Sequence, residues 1–440
     1  MENNGFDDSG LVKNPLARGL LSCSWISFLF ISFGGLKSFA FRTGFDGVSD
    51  VAEIGWTSQI IIVGLGCLVI LVTILYMYGD FGKVRRILPF PIFLVFVWCV
   101  LTLFGSSVPL IGLRRLILTM LVALSVFSVV QGLGPWSALR LFALCIAILT
   151  VVSVLACLTL PSAVHPPTEH NVNLIGAWRG IFFHKNHAGL AAALCVLFSF
   201  FFWRMKQGQV WLAVAIAGII LLVMSRSKTS LILCLPSLLS GVYLGKLKGA
   251  RRDIRAIVTL FTAIGLITII TMTLIIAGDK ISAILDDPTA FTGRMTLWKS
   301  LWSTIVENPF MGVGYGSIYK TGIRTVIYNP TVTWLSYSVH GHNGYLDVLA
   351  STGIIGCFLT VFAFLITPFL QITRWAHSSF QIMAELMYAI LAFLIFHELL
   401  ETSLLDRTRS AWIAFLFVYA VAEAILIYSK RGLHKNGKTP

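Results

Sequence analysis

Apolar residues run through this chain in long stretches, and polar residues are confined to intervals between them. Roughly 20 apolar residues are needed to cross a bilayer as an α-helix. Stretches of that kind occur at 20–36, 56–78, 87–104, 114–131, 139–160, 181–203, 209–225, 229–245, 256–276, 344–370, 381–400 and 410–428. The pattern predicts an all-α, polytopic transmembrane helical bundle of about twelve spans. The first stretch lacks a small-residue cleavage site and is read as a retained span.

The intervals set the expected organisation. Residues 1–19 form a cytoplasmic N-terminal segment, 20–276 hold spans one to nine, 277–343 form one long outer loop, 344–428 hold spans ten to twelve, and 429–440 form a cytoplasmic tail. Inside the loop, Asp286-Asp287-Pro288 is a turn signal. Leu297, Trp298, Leu301, Trp302 and Ile305 then recur at helical spacing and predict a short amphipathic helix. Two tryptophans on one face suit a helix at the headgroup level, and equally one packed on its own bundle. Asn308-Pro309 ends it, and Gly312, Gly314 and Gly316 are expected to be a flexible stretch. They have no βαβ context and are not a dinucleotide fingerprint.

Orientation follows from lysine and arginine. With a cytoplasmic N-terminus, 18 of the 33 basic residues fall in the cytoplasmic segments, the densest cluster running from Lys246 to Arg255. Five of the other 15 lie in the long loop, which the rule weighs less. Both termini are therefore expected to be cytoplasmic.

Composition narrows the function classes. The chain is 57% hydrophobic and 12% charged, too little polar surface to cover a soluble protein of 440 residues. Its net charge of +14 would suggest nucleic acid in a soluble protein. Here the basic residues sit mostly in short loops, a pattern of orientation signals and anionic lipid contacts, so no nucleic acid is expected. The eight cysteines are scattered through apolar runs without metal-ligand spacing.

Ionisable residues beside spans are costly and point to function. On the topology above, four groups share the outer side. Arg179 through His187 (Arg179-Gly180-Ile181-Phe182-Phe183-His184-Lys185-Asn186-His187) enters span 6, where basic side chains and a helix N-terminus make an anion site. Ser225-Arg226-Ser227-Lys228 joins spans 7 and 8. Arg294 opens the amphipathic helix. His340-Gly341-His342-Asn343 leads into span 10, and a histidine there suits a general base. His-x-His could be half a metal site, but no acidic or cysteine partner stands at metal spacing, so no metal is expected. Asp347 is the nearest carboxylate, pointing along the next turn. His397, Glu398 and Glu401 end span 11 and are read as snorkelling or helix-pairing residues. Glu385 and Glu423 are assigned to neighbouring helices or the membrane interface, and His165 and His170 to solvent.

These residues resemble the O-antigen ligase and Wzy-type polysaccharide polymerase superfamily. The pattern His, then Asn, Ser or Gln, nine residues, Gly, two residues and a small residue is met by His342-Asn343 and Gly353-Ile354-Ile355-Gly356. Gly293-Arg294 with Trp298 is similar to the segment opening the family's outer loop, and Ser225-Arg226 to its other arginine position. Phe104-Gly105-Ser106-Ser107 through Arg114-Arg115 looks like its span 3–4 connection. Arg179 through Asn186 is most similar to the exopolysaccharide, succinoglycan-type branch.

The resemblance implies a membrane glycosyltransferase of the bacterial inner membrane, working at the periplasmic face. It would polymerise oligosaccharide repeat units carried on undecaprenyl pyrophosphate, with both donor and acceptor lipid-linked. His342 would be the general base, and Arg226 and Arg294 would hold the pyrophosphate. Arg179, His184, Lys185, Asn186, His340 and Asn343 are the expected substrate-binding residues. No cofactor is implied; other polysaccharide export proteins are candidate partners. The alternatives are a ligase that transfers glycan to a lipid A core, a transporter or flippase of lipid-linked sugars, and a non-catalytic assembly partner. Against the transporter, the charges crowd one face and the halves show no repeat.

Overall fold

The computed structural model describes residues 10–34, 56–77, 88–167, 169, 172–249, 294–319, 338–376, 380–407 and 409–435. Within them the chain is helical, with no strand beyond an isolated bridge between Val164 and Trp178. In chain order the helices are α1 (Pro15–Ser32), α2 (Trp56–Met77), α3 (Phe90–Thr102), α4 (Pro109–Leu133), α5 (Pro135–Thr159), α6 (Lys185–Arg204), α7 (Val210–Met224), α8 (Lys228–Gly249), α9 (Arg294–Glu307), α10 (Gly344–Trp375), α11 (Gln381–His397) and α12 (Ser410–Lys435). Seven are long and apolar enough to cross a membrane, and four shorter apolar helices accompany them. These eleven coincide with eleven of the twelve expected spans. The expected span at 256–276 lies outside the described residues.

Helix starts follow local chemistry. Asn14 caps α1 by accepting from Leu16 N at 2.9 Å, and prolines open α1, α4 and α5 at positions where the missing N–H costs nothing. Pro109 starts α4 five residues ahead of the expected apolar run.

The most enclosed span is α12, with 83% of its apolar window buried, against 28% for α8 at the periphery. Lipid is as apolar as leucine, so packing rather than water exclusion must hold such helices together. Around α12 this is aromatic: Phe417 meets Trp25 of α1 and Phe142 of α5, with ring centroids 5.8 and 4.8 Å apart. At one end of the bundle, buried Glu385 of α11 pairs with Arg204 of α6. Gln371 of α10 donates to Glu423 of α12. Both glutamates thus contact neighbouring helices.

The loops at the opposite end build the candidate site. Trp178 N donates to Met224 O, tying the segment before α6 to the α7–α8 turn. Gly344 N donates to Glu398 O, tying the start of α10 to the end of α11. Helix α9 lays Leu297, Leu301 and Ile305 against Ala350 of α10. Its two tryptophans part: Trp298 Nε1 donates to Gly341 O at 2.8 Å, whereas Trp302 is 57% exposed. One face of α9 therefore packs on the bundle and the other stays open.

The glycine stretch after α9 is closely packed rather than loose. Gly312, Gly314 and Gly316 all have positive φ, and a Cβ at Gly312 would meet the Ser351 backbone at 2.5 Å. The matching adjustment lies in α10, where Gly353 leaves helical geometry at φ 68° and ψ −175°. There Ile354 N turns to Pro309 O at 2.8 Å, and Val313 N donates to Ala350 O at 3.0 Å. A Cβ at Gly353 would collide with Phe310. The spacing from His342-Asn343 to Gly353 thus measures the part of α10 between its cap and the place where the post-α9 turn inserts.

Candidate functional site

His342 precedes α10 in the left-handed region, at φ 51°. For a residue other than glycine this is uncommon and needs its surroundings to hold it. Asn343 does part of that work as the N-cap. Its Oδ1 accepts from Leu346 N at 3.0 Å, its Nδ2 donates to Leu399 O at 3.1 Å, and its N–H donates to Thr402 Oγ1 at 3.1 Å. Asp347 grips the same turn from below, accepting from Gly341 N at 2.8 Å, Thr402 Oγ1 at 2.6 Å and the Tyr319 hydroxyl. So Asp347 anchors the loop, and a different carboxylate faces His342.

That carboxylate is Glu401. Its Oε2 lies 3.4 Å from His342 Nδ1, while its Oε1 accepts from Arg294 Nη2 at 3.1 Å and Asn186 Nδ2 at 3.2 Å. Arg294 also donates to Leu400 O. The His342 contact is longer than a usual hydrogen bond, and Nδ1 has no better partner among the described residues. Such contacts in substrate-free sites often tighten on binding. Burial alone pushes the Glu401 carboxyl up, but the His342 contact and the charges of His342, Arg294 and His397 hold it well below the usual carboxylate range. Glu401 is thus an anion facing the Nδ1 side of the imidazole.

An open pocket lies beside this group, lined by residues that include His184, Asn186, His187, His340, His342, His397, Glu401, Thr402, Ser403 and Arg409. Two helix N-termini face it. His184 caps α6 by accepting from Asn186 N at 3.2 Å, and α10 begins at the Asn343 cap. Both bring partial positive charge to the same space. His340 is buried with its ring 4.0 Å from that of His342, and its Nδ1 accepts from His342 N at 3.3 Å. Burial first, and then the charges of His342 and Arg409, push the His340 imidazole well below its ordinary range, so it stays neutral.

Of the expected site residues, Arg294, His342, Asn186, His184 and His340 meet around this pocket, and Asn343 holds its edge. Lys185 opens α6 beside them. Arg179 and Arg226 belong to an adjoining wall. Arg179 donates to Ser162 O at 3.0 and 2.8 Å, and Arg226, itself at φ 52°, donates to Ile175 O at 3.1 Å. The wall is close, because Gly189 of α6 packs against Ser225 and Ser227, between the pocket residues His187 and Leu190. His165, expected in solvent, is instead buried, 2.9 Å from Glu169 and stacked edgewise on His184. His170 lies outside the described residues.

Sequence reasoning read Glu401 as a snorkelling or helix-pairing residue, kept His187 only as part of the segment entering α6, and passed over Arg409. The signal was available for Glu401: the run from His397 to Ser403 interrupts two apolar spans with clustered polar residues. Among the described residues no three His, Cys, Asp or Glu side chains converge as a metal site.

Comparison with known families found a similarity over part of the chain. Residues 211–361 match the family model Wzy_C, described as O-Antigen ligase. The match contains Arg226, Arg294, His342 and Asn343, while Glu401 and the start of α6 lie beyond it. Comparison with curated proteins gave no match. Residues 211–361, about a third of this multi-pass membrane chain, are thus similar to the O-antigen ligase family.

Proposed function

We propose that this protein is the exopolysaccharide polymerase of a bacterial inner membrane, joining oligosaccharide repeat units carried on undecaprenyl pyrophosphate at the periplasmic face. The observation that carries this reading is the Arg294–Glu401–His342 constellation at the mouth of two helix N-termini. His342 Nε2 takes the proton from an acceptor hydroxyl as its oxygen attacks the anomeric carbon of the donor glycan. The bond from that carbon to the pyrophosphate breaks, and lipid pyrophosphate leaves. Glu401 balances the imidazolium that forms, and the proton then passes to solvent. Arg294 and Arg226, with the α6 and α10 N-termini, hold the pyrophosphate as its charge develops. His184, Lys185, Asn186, His340 and Asn343 shape the binding surface, and Arg179 fixes the Ser162 loop beside it.

The succinoglycan-type assignment rests on Arg179 through Asn186. The family description favours one second reading, transfer of a finished glycan to a lipid A core. Cells carrying His342→Ala separate the two. The expected result is loss of polymer with a single repeat unit accumulating on its carrier. Full-length glycan left on the carrier would instead indicate the ligase, and undiminished polymer would remove His342 from the chemistry.

A further inference from the structure

A second, shallow groove lies between α2 and α4. Its walls are Ile62, Val63, Leu118, Leu121 and Val122, and its polar rim is Gln59 and Arg407. The helices close beneath it where Gly66 lets α2 touch α4: a Cβ there would stand 2.6 Å from Ser125 Oγ. From Gln59 to Gly66 the groove runs roughly 10 Å along the helix. The apolar surface continues outward through Ile60 and Ile117, which are 67% and 56% exposed. Arg407 Nε is buried without a hydrogen-bond partner among the described residues.

The position of Arg407 connects this groove to the site. The loop joining α11 to α12 sends Arg409 into the His342 pocket and Arg407 into the α2–α4 groove. One short loop thus forms a wall between two cavities and gives an arginine to each. A groove with apolar walls and a guanidinium at its mouth fits a phosphate on a long hydrocarbon chain. The reaction proposed above consumes two such molecules, and the His342 pocket accounts for the pyrophosphate of one.

We infer that the α2–α4 groove seats the polyprenyl chain of the acceptor, with Arg407 on its phosphate. The assignment rests on the polymerase reading, since a ligase acceptor carries a different lipid. It is tested on the full-length protein in lipid nanodiscs, with a diazirine-bearing undecaprenyl monophosphate as the probe. Labelling is expected on α2 near Ile62 and on α4 at Leu118–Val122. Unlabelled undecaprenyl phosphate should protect these positions, and phosphatidylglycerol at the same mole fraction should not. Arg407→Ala should weaken labelling about tenfold, the loss of one charged contact, and Leu118→Trp should block it by filling the groove. If Leu118→Trp does not fold, Arg407→Ala decides.

Labelling that ignores Arg407→Ala, or protection by phosphatidylglycerol equal to that by the polyprenyl phosphate, would overturn the groove as a polyprenyl site. Labelling lost in Arg407→Ala with polymer yield in cells unchanged would overturn the acceptor assignment. The labelling needs no turnover, so failure of the polymerase reading shows separately, as polymer surviving His342→Ala.

Discussion

Two glutamates pair with arginines in this molecule, Glu385 buried and Glu401 partly exposed, and their surroundings set them apart. Glu385 meets Arg204 deep between helices, with Gly241 and Gly245 of α8 pressed against it and Gln381 donating to it at 3.0 Å. Glu401 meets Arg294 at the edge of an open pocket and shares its other oxygen with an imidazole. The same pair of charges is a staple in one place and an orienting device in the other. What separates them is access: one is enclosed by helix backbones, the other stands beside a cavity and two helix N-termini.

Substitutions can break that contrast. Glu401→Gln keeps an acceptor for Arg294 and Asn186 but removes the charge facing His342. It should lower kcat by roughly 10²–10⁴-fold, the range for losing general-base function, with donor KM little changed. Polymer formation from purified lipid-linked repeat units measures both, and an unchanged kcat would make Glu401 as structural as Glu385. Glu385→Ala should do the opposite. Leaving the partly exposed Arg204 without its buried partner should lower stability, read as a fall in Tm in detergent, with kcat per folded molecule retained. Gly353→Ala comes next. A left-handed non-glycine costs about 1–3 kcal/mol before any collision with Phe310, and the shift of the post-α9 turn should appear as faster proteolysis between α9 and α10. Asn343→Ala removes the α10 cap for about 1 kcal/mol, a small fall in Tm that should accompany a measurable loss of activity.

A last effect concerns pH. Burial pushes the His165 imidazole down to about 4 from an ordinary 6.5, with its Glu169 hydrogen bond opposing in part. Between those values the unfolded chain takes up a proton that the folded chain does not. The stability tied to this residue is therefore complete above pH 6.5 and lost as pH falls towards 4. His165→Gln should flatten the fall of Tm across that window, and an equal slope in both proteins would show that His165 is not the group responsible.

The helices were legible because a backbone in lipid must satisfy its own hydrogen bonds. Apolar length therefore marks each span to within a few residues, as at α2, expected at 56–78 and found at Trp56–Met77. The site was legible where local chemistry carries it: a histidine and an asparagine ahead of an apolar run mark a capped helix start. The pairing of Glu401 with His342 was not, because Glu401 reaches it from another loop and no spacing along the chain encodes that approach. The loose reading of Gly312, Gly314 and Gly316 failed for a related reason. Glycine permits close approach as well as freedom, and only the neighbours Ser351 and Ser106 show which applies.

The backbone of His342 limits what can replace it. Alanine in the left-handed region carries a penalty of roughly 1–2 kcal/mol that glycine escapes and asparagine largely avoids. A saturation library at this position, sorted only for correctly inserted protein, should therefore be enriched in Gly, Asn and Asp whatever happens to the chemistry. Asn in particular keeps a polar side chain and the turn but has no titratable nitrogen. A sequence with asparagine here would retain the architecture of the pocket while being silent as a catalyst, which makes tolerance and activity at this position separately selectable traits.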